Sequence, residues 1–164
     1  MQVSINKAHE SDFDLIANLA KIIWQKHYVP IIGEEQVNYM LSNIYSKNSL
    51  TEQTQDKKHV FYLIQEVDNT IGFVSISSEN KTDYWIHKFY VLQNNQNKGI
   101  GSFVFNEVLK QMNQPKTIRL TVNRQNFKSI NFYFKLGFKI EKVADFDIGS
   151  GYFMNDFIMI WKAR

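Results

Sequence analysis

Gln96-Asn97-Lys98-Gly99-Ile100-Gly101-Ser102 joins an apolar, strand-like run ending Phe89-Tyr90-Val91 to a run of helical period. The two inner glycines carry no side chain to hold an anion off the backbone, and they permit φ values closed to other residues. Successive amide N–H groups can therefore converge on one anion, and the helix that follows adds its positive N-terminal end. The stretch reads as a cradle for a pyrophosphate. Two common cradles are eliminated by its residues. A dinucleotide fingerprint needs a third glycine where this chain has Val104, and an ATPase-type loop needs Gly-Lys-Ser/Thr, whereas Lys98 precedes Gly99 and Ile100 follows it.

The spacing Gln-x-x-Gly-x-Gly directly after a strand resembles the acyl-CoA loop of the GNAT superfamily of N-acetyltransferases. Downstream, Asn126-Phe127-Lys128-Ser129-Ile130-Asn131-Phe132-Tyr133-Phe134-Lys135-Leu136-Gly137-Phe138 is similar to the same superfamily's other signature, Asn-x-x-small-x-x-Phe-Tyr-x-x-x-Gly-Phe. Two independent motifs stand in the right order with a helix and a strand between them. The elements on either side extend the resemblance over nearly the whole chain.

A length of 164 residues suits one domain, here residues 1–164, with a core that needs no disulfide or metal. The absence of cysteine excludes a thiol nucleophile, a zinc-thiolate site and a disulfide framework. The net charge of +3 comes from dispersed lysines rather than a basic run, so nucleic acid is not an expected partner. No apolar run approaches a membrane span, and no leader pattern opens the chain; the expectation is a cytoplasmic protein without membrane contact. Most of the aromatic residues fall at spacings that packing explains.

Residues 3–5 alternate as a short strand. Ser11 and Asp14 have the spacing of an N-cap and capping box, opening a helix whose buried stripe is Phe13, Ile16, Ala20, Ile23, Trp24 and His27. Pro30 and Gly33 are expected to end it, and a second helix carries Val37, Met40, Leu41 and Ile44. Residues 46–58 are polar and aperiodic apart from Leu50 and read as a loop with room for one helical turn. Strands follow at 60–67 and 71–77 around a turn at Asp68-Asn69-Thr70, then at 83–92. Ile100, Phe103, Val104, Val108 and Met112 form the inner stripe of the next helix, and Pro115 lies past its end. Residues 117–122 make a strand parallel to the previous one through a right-handed crossover. The signature helix, 126–136, stops at Gly137, and 138–143 pairs with 155–161 as a closing antiparallel pair.

The order is β-α-α-β-β-β-α-β-α-β-β: an α/β fold with a mixed seven-stranded central sheet and helices on both faces. It resembles the GNAT fold, whose two central parallel strands splay apart to admit the acyl group. Open α/β sheets generally bind ligands at the carboxyl ends of such strands.

The resemblance implies acetyl-CoA as co-substrate, with no metal. It gives CoA to the loop amides of Gln96, Asn97, Lys98, Gly99, Ile100, Gly101 and Ser102, with main-chain groups of Tyr90 and Val91 pairing with the pantetheine. The family most often has glycine at the Asn97 position, and Asn tolerates positive φ better than most residues. Tyr133 takes the place of the general acid beside the CoA sulfur. Asn126 resembles a side-chain contact to the CoA arm, although an N-cap explains it equally well, and Ser129 is the small residue that lets the helix pack near the cofactor. Many relatives carry a glutamate where this chain has His87, whose neutral imidazole is the candidate base; alternation also puts His87 on a face with Trp85, Phe89 and Val91, as a packed histidine.

In this fold the acceptor pocket comes from the first two helices and their connection, here Trp24 to Gly33, with Trp24, His27 and Tyr28 as its candidate residues. These residues, with the segments 145–149 and 155–157, resemble the polyamine branch that acetylates spermidine. Asp145, Asp147, Asp156, Glu34 and Glu35 are carboxylates able to receive a cationic chain, or equally solvated surface acids. The expected function is acetyl transfer to a primary amine, with a small polyamine as acceptor. Acetylation of a protein N-terminus or lysine is the alternative within the class, and a non-catalytic CoA-binding module the alternative outside it. Dimers are common in the family, which leaves a homodimer open without fixing the oligomeric state; the apolar run 157–161 suits such a contact or a central strand alike.

Overall fold

Alternating apolar side chains and the turns between them resolve, in a computed structural model describing residues 2–96 and 98–163, into seven strands and six helices among the described residues. The strands are β1 (Val3–Lys7), β2 (Val60–Glu66), β3 (Asn69–Ser78), β4 (Asp83–Val91), β5 (Thr117–Asn123), β6 (Lys139–Gly149) and β7 (Tyr152–Lys162). The helices are α1 (Phe13–His27), α2 (Val29–Ile32), α3 (Glu34–Ile44), α4 (Lys47–Gln55), α5 (Ile100–Gln111) and α6 (Phe127–Lys135). The strands form one mixed sheet in the order β1-β2-β3-β4-β5-β7-β6. The chain divides into two compact units, Met1–Ser77 with Lys88–Gln111, and Ser78–His87 with Met112–Arg164.

In the first unit, β2 pairs antiparallel with β1 and β3. Every residue from Ile71 to Ile76 is buried. Successive side chains point to opposite faces of a strand, so this stretch is covered on both. Gly72 has a particular reason to be glycine: a Cβ there would stand 2.1 Å from the Tyr90 carbonyl oxygen. Removing the side chain lets β3 and the end of β4 approach.

Two local expectations change here. The segment 46–58 contains helix α4, capped by Ser46, whose hydroxyl accepts the Ser49 N–H at 3.2 Å. Its inner face is only Leu50 and Gln53, too short and too polar a stripe to show as periodicity. The connection after α1 holds the short helix α2, because Pro30 sits in its first turn, where proline is tolerated; Gly33, at φ 87°, then ends it.

Other boundaries shift by less. The chain enters α1 through a 3-10 turn at Glu10–Asp12, where the Asp12 carboxylate accepts the His9 N–H at 2.8 Å, two residues before the expected Ser11 and Asp14 box. The β2–β3 turn centres on Val67 and Asp68, with Val67 in the left-handed region at φ 56°, unusual for a β-branched residue. In α5 the buried stripe includes Phe105; Phe103 is half-buried.

In the second unit, β4 pairs parallel with β5 from Asp83↔Thr117 to Trp85↔Arg119. β5 pairs antiparallel with β7, which pairs with β6 on its other side. The last two strands are longer than expected, at 11 residues each, and turn through Gly149, Ser150 and Gly151, all at positive φ. A strand flanked on both sides accounts for the apolar run 157–161. Helix α6 closes on Gly137 at φ 95°, with Phe138 N–H donating to the Tyr133 carbonyl and Gly137 N–H to the Phe134 carbonyl, both at 3.0 Å. These two bonds make a Schellman cap. Phe138 then buries almost completely, at 2% exposure, which stabilises the unit by about 2 kcal/mol.

Candidate active site

In the first unit, β4 delivers the chain to a 3-10 turn at Gln93–Asn95 and then to the glycine loop. Gln96 folds back so that its Nε2 donates to the Val91 carbonyl at 2.8 Å, tying the loop to the strand that precedes it. Asn97 lies outside the described residues. Lys98 and Gly99 are exposed, and Gly99 has φ 76°, a conformation that favours glycine. Ile100 is 1% exposed and anchors the first turn of α5 in the core. Gly101 and Ser102 belong to that first turn, so Gly101 is helical and what it contributes is bareness rather than an unusual φ. The leading amides of a helix have no partner within it, and α5 has 12 residues of dipole behind them. The arrangement suits a diphosphate.

Val91 and Tyr90 offer less than a free strand edge. The Val91 carbonyl already accepts from Gln96, and the Tyr90 carbonyl is turned onto Gly72. The Tyr90 side chain instead joins an aromatic cluster. Trp24 lies 5.0 Å from Tyr28, 5.9 Å from Tyr45 and 6.0 Å from Tyr90, ring centre to ring centre, and His27 meets Tyr28 edge to face at 4.8 Å. Trp24 and Tyr45 are buried, while His27, Tyr28 and Tyr90 are half-buried. The structure thus brings the three residues expected on the acceptor side together and adds Tyr45 and Tyr90. Burial, then Tyr28, raise the Tyr45 phenol well above its ordinary range, with the polar groups of Trp24 and Tyr90 working the other way.

Lys88, on the same face of β4 as Tyr90, is 8% exposed and was not singled out by the sequence. Its ammonium lies over the rings of Tyr45 and Phe61, at 5.8 and 5.2 Å. Burial, with a smaller effect of Lys57, lowers its pKa to about 7. Burial followed by Lys88 and Lys57 lowers that of His59 to about 4. A cation between Ile86 and Tyr90 on an otherwise apolar alternation was the available signal.

In the second unit, His87 is half-buried and its ring stacks on Trp85 at 6.4 Å, so the expected common face is correct. Asn126 is 3% exposed and caps α6: its Oδ1 accepts the Ser129 N–H at 3.2 Å. Ser129 is half-buried. Tyr133 lies on the buried face of α6, 8% exposed, with its ring 5.6 Å from Phe138 and 5.4 Å from Phe132. Among the described residues no group of three or more His, Cys, Asp or Glu could hold a metal ion. No helix among them is long and apolar enough to cross a membrane.

The model of the acetyltransferase (GNAT) family matches residues 19–138. The chain is 30% identical over 148 residues to the spermidine N(1)-acetyltransferase of Thermoplasma acidophilum, covering 86% of this chain and 91% of that one. Its fold superposes on the crystal structure of the PaiA N-acetyltransferase from Thermoplasma acidophilum in complex with coenzyme A with a TM-score of 0.82, at 27% identity over 99% of this chain and 100% of that one. It also matches the fold of a spermidine N-acetyltransferase from Vibrio cholerae in complex with CoA and spermine, with a TM-score of 0.70 at 19% identity, over 98% and 95% of the two chains.

Proposed function

The chain belongs to the acetyltransferase (GNAT) family and is an acetyl-CoA-dependent N-acetyltransferase; on that premise we propose that its acceptor is a small primary amine, a polyamine of the spermidine type. The relationship to a spermidine acetyltransferase along most of both chains carries this reading. The aromatic cluster around Trp24 supports it, because tyrosine and tryptophan faces attract alkylammonium groups.

The reaction joins the amine nitrogen to the acetyl carbon, breaks the carbon–sulfur bond and returns CoA as a thiol. An alkylammonium with a pKa of about 10.4 is neutral in roughly one molecule per few thousand at pH 7, so its proton needs a route out. In our assignment His87 accepts it, directly or through water, and the Tyr133 hydroxyl donates a proton to the departing thiolate. The amides from Gln96 to Ser102, Asn97 included, hold the diphosphate, with Tyr90, Val91, Asn126 and Ser129 along the rest of the CoA arm. Trp24, His27 and Tyr28 receive the acceptor. Holding two reactants in line supplies much of the rate.

A thiol-release screen with acetyl-CoA against polyamines, amino acids, aminoglycosides and peptides tests the acceptor. Spermidine or a close homologue is expected to give the highest kcat/KM. Preference for a peptide amine would overturn the reading.

A further inference from the structure

We propose that Asp156 is the counter-ion for an ammonium group of the acceptor amine. The inference deepens the polyamine reading and rests on it. Of the five carboxylates that could receive a cationic chain, Asp156 alone is buried, at 1% exposure. It stands on β7 opposite Asn123, the last residue of β5, and opposite Ala144 on β6. The chain leaves β5 at that point, turns through Arg124 and Gln125, and enters α6, the helix of Tyr133. Carboxyl ends of parallel strands are where open α/β sheets take ligands.

The Oδ1 atom of Asp156 is buried with no hydrogen-bond partner. A buried carboxylate oxygen in that condition is costly unless a cation or donor meets it. The charged groups facing it are Arg124 and Asp145, and the Thr121 hydroxyl supplies a hydrogen bond. Arg124 does not fill the need, because its Nη2 is 2.9 Å from Asp145 Oδ1 in an ion pair of their own. Burial raises the Asp156 carboxyl to about 6, and Thr121 and Arg124 pull it back only in part. It is therefore largely ionised at neutral pH, when the acceptor is cationic. CoA is an anion and has no use for such a site; the amine has.

The test is steady-state acetylation of spermidine at pH 7.5 by the wild-type protein and Asp156→Asn. The expected result is a rise of about tenfold or more in KM for spermidine, with KM for acetyl-CoA unchanged and the thermal midpoint equal or higher, since the variant removes an uncompensated charge. An architectural carboxylate would instead lower the midpoint and disturb both substrates, and that result overturns the proposal. Should the variant not fold, a carbon-13 titration of the wild-type Asp156 carboxyl, with CoA present, decides: spermidine should lower its midpoint by about one pH unit, and an unmoved midpoint overturns the proposal. A wild-type protein inert toward every amine overturns the acceptor reading and this inference together. Activity on spermidine with an unchanged KM in the variant overturns this inference alone.

Discussion

Lys88 Nζ donates to Gln53 Oε1 at 2.5 Å, which joins the middle of the strand leading to the glycine loop to a helix that local periodicity does not reveal. Gln53 Nε2 in turn donates to the Ile44 carbonyl at 2.7 Å and the Ser49 hydroxyl at 3.1 Å. Both side chains are buried.

Stability should depend on pH through Lys88. Its folded pKa of about 7 lies below the unfolded value, so between pH 7 and about 10.4 the unfolded chain holds a proton that the folded one has shed. Stability from this group therefore rises with pH across that window, and the burial penalty, a few kcal/mol, is fully present below pH 7. Lys88→Met removes the penalty but strands the Gln53 oxygen, at about 1–3 kcal/mol. Urea unfolding should find the variant at least as stable as wild type at pH 6 and losing that advantage by pH 9. Parallel curves would mean that Lys88 does not titrate there.

Gly72→Ala should destabilise the first unit by about 2 kcal/mol or more, because the new methyl overlaps the Tyr90 carbonyl, a backbone atom with no rotamer to escape into. Differential scanning calorimetry measures it. An unchanged midpoint would show that β3 and β4 can separate without cost.

Tyr133→Phe keeps the ring against Phe138 and removes only the hydroxyl. We expect kcat to fall about tenfold or more, the scale of a lost general acid, with CoA affinity nearly intact by calorimetry. An undiminished kcat would take Tyr133 out of the chemistry.

Gly101→Val and Gly99→Val should differ. Position 101 is helical, so valine costs little in backbone strain and its effect on CoA binding reports the space it fills. Position 99, at φ 76°, resists a β-branched residue, and the variant should lose stability by about 1–2 kcal/mol as well as CoA affinity. Tight CoA binding by Gly101→Val would refute the diphosphate assignment.

Much of the fold was legible because its signals are local. Gly137 and the helix before it could be placed from the spacing of apolar residues and a C-terminal glycine, and the structure has the cap those residues imply. Helix α4 was not legible, since Gln53 faces inward to partners that include Lys88, 35 residues away. The longer closing hairpin was missed because glutamate, lysine and aspartate on β6 face solvent and interrupt the apolar count.

By itself the sequence determined a strand, a bare loop and a helix in succession, and with them a cradle suited to an anion, since adjacent residues suffice to present amides to one; the co-substrate followed from the resemblance those motifs carry. Only the tertiary structure separated Asp156 from four other acids and made Lys88 a buried amine whose charged form burial disfavours. Burial and the lack of a partner are set by residues that folding brings from elsewhere in the chain, and no local pattern records them.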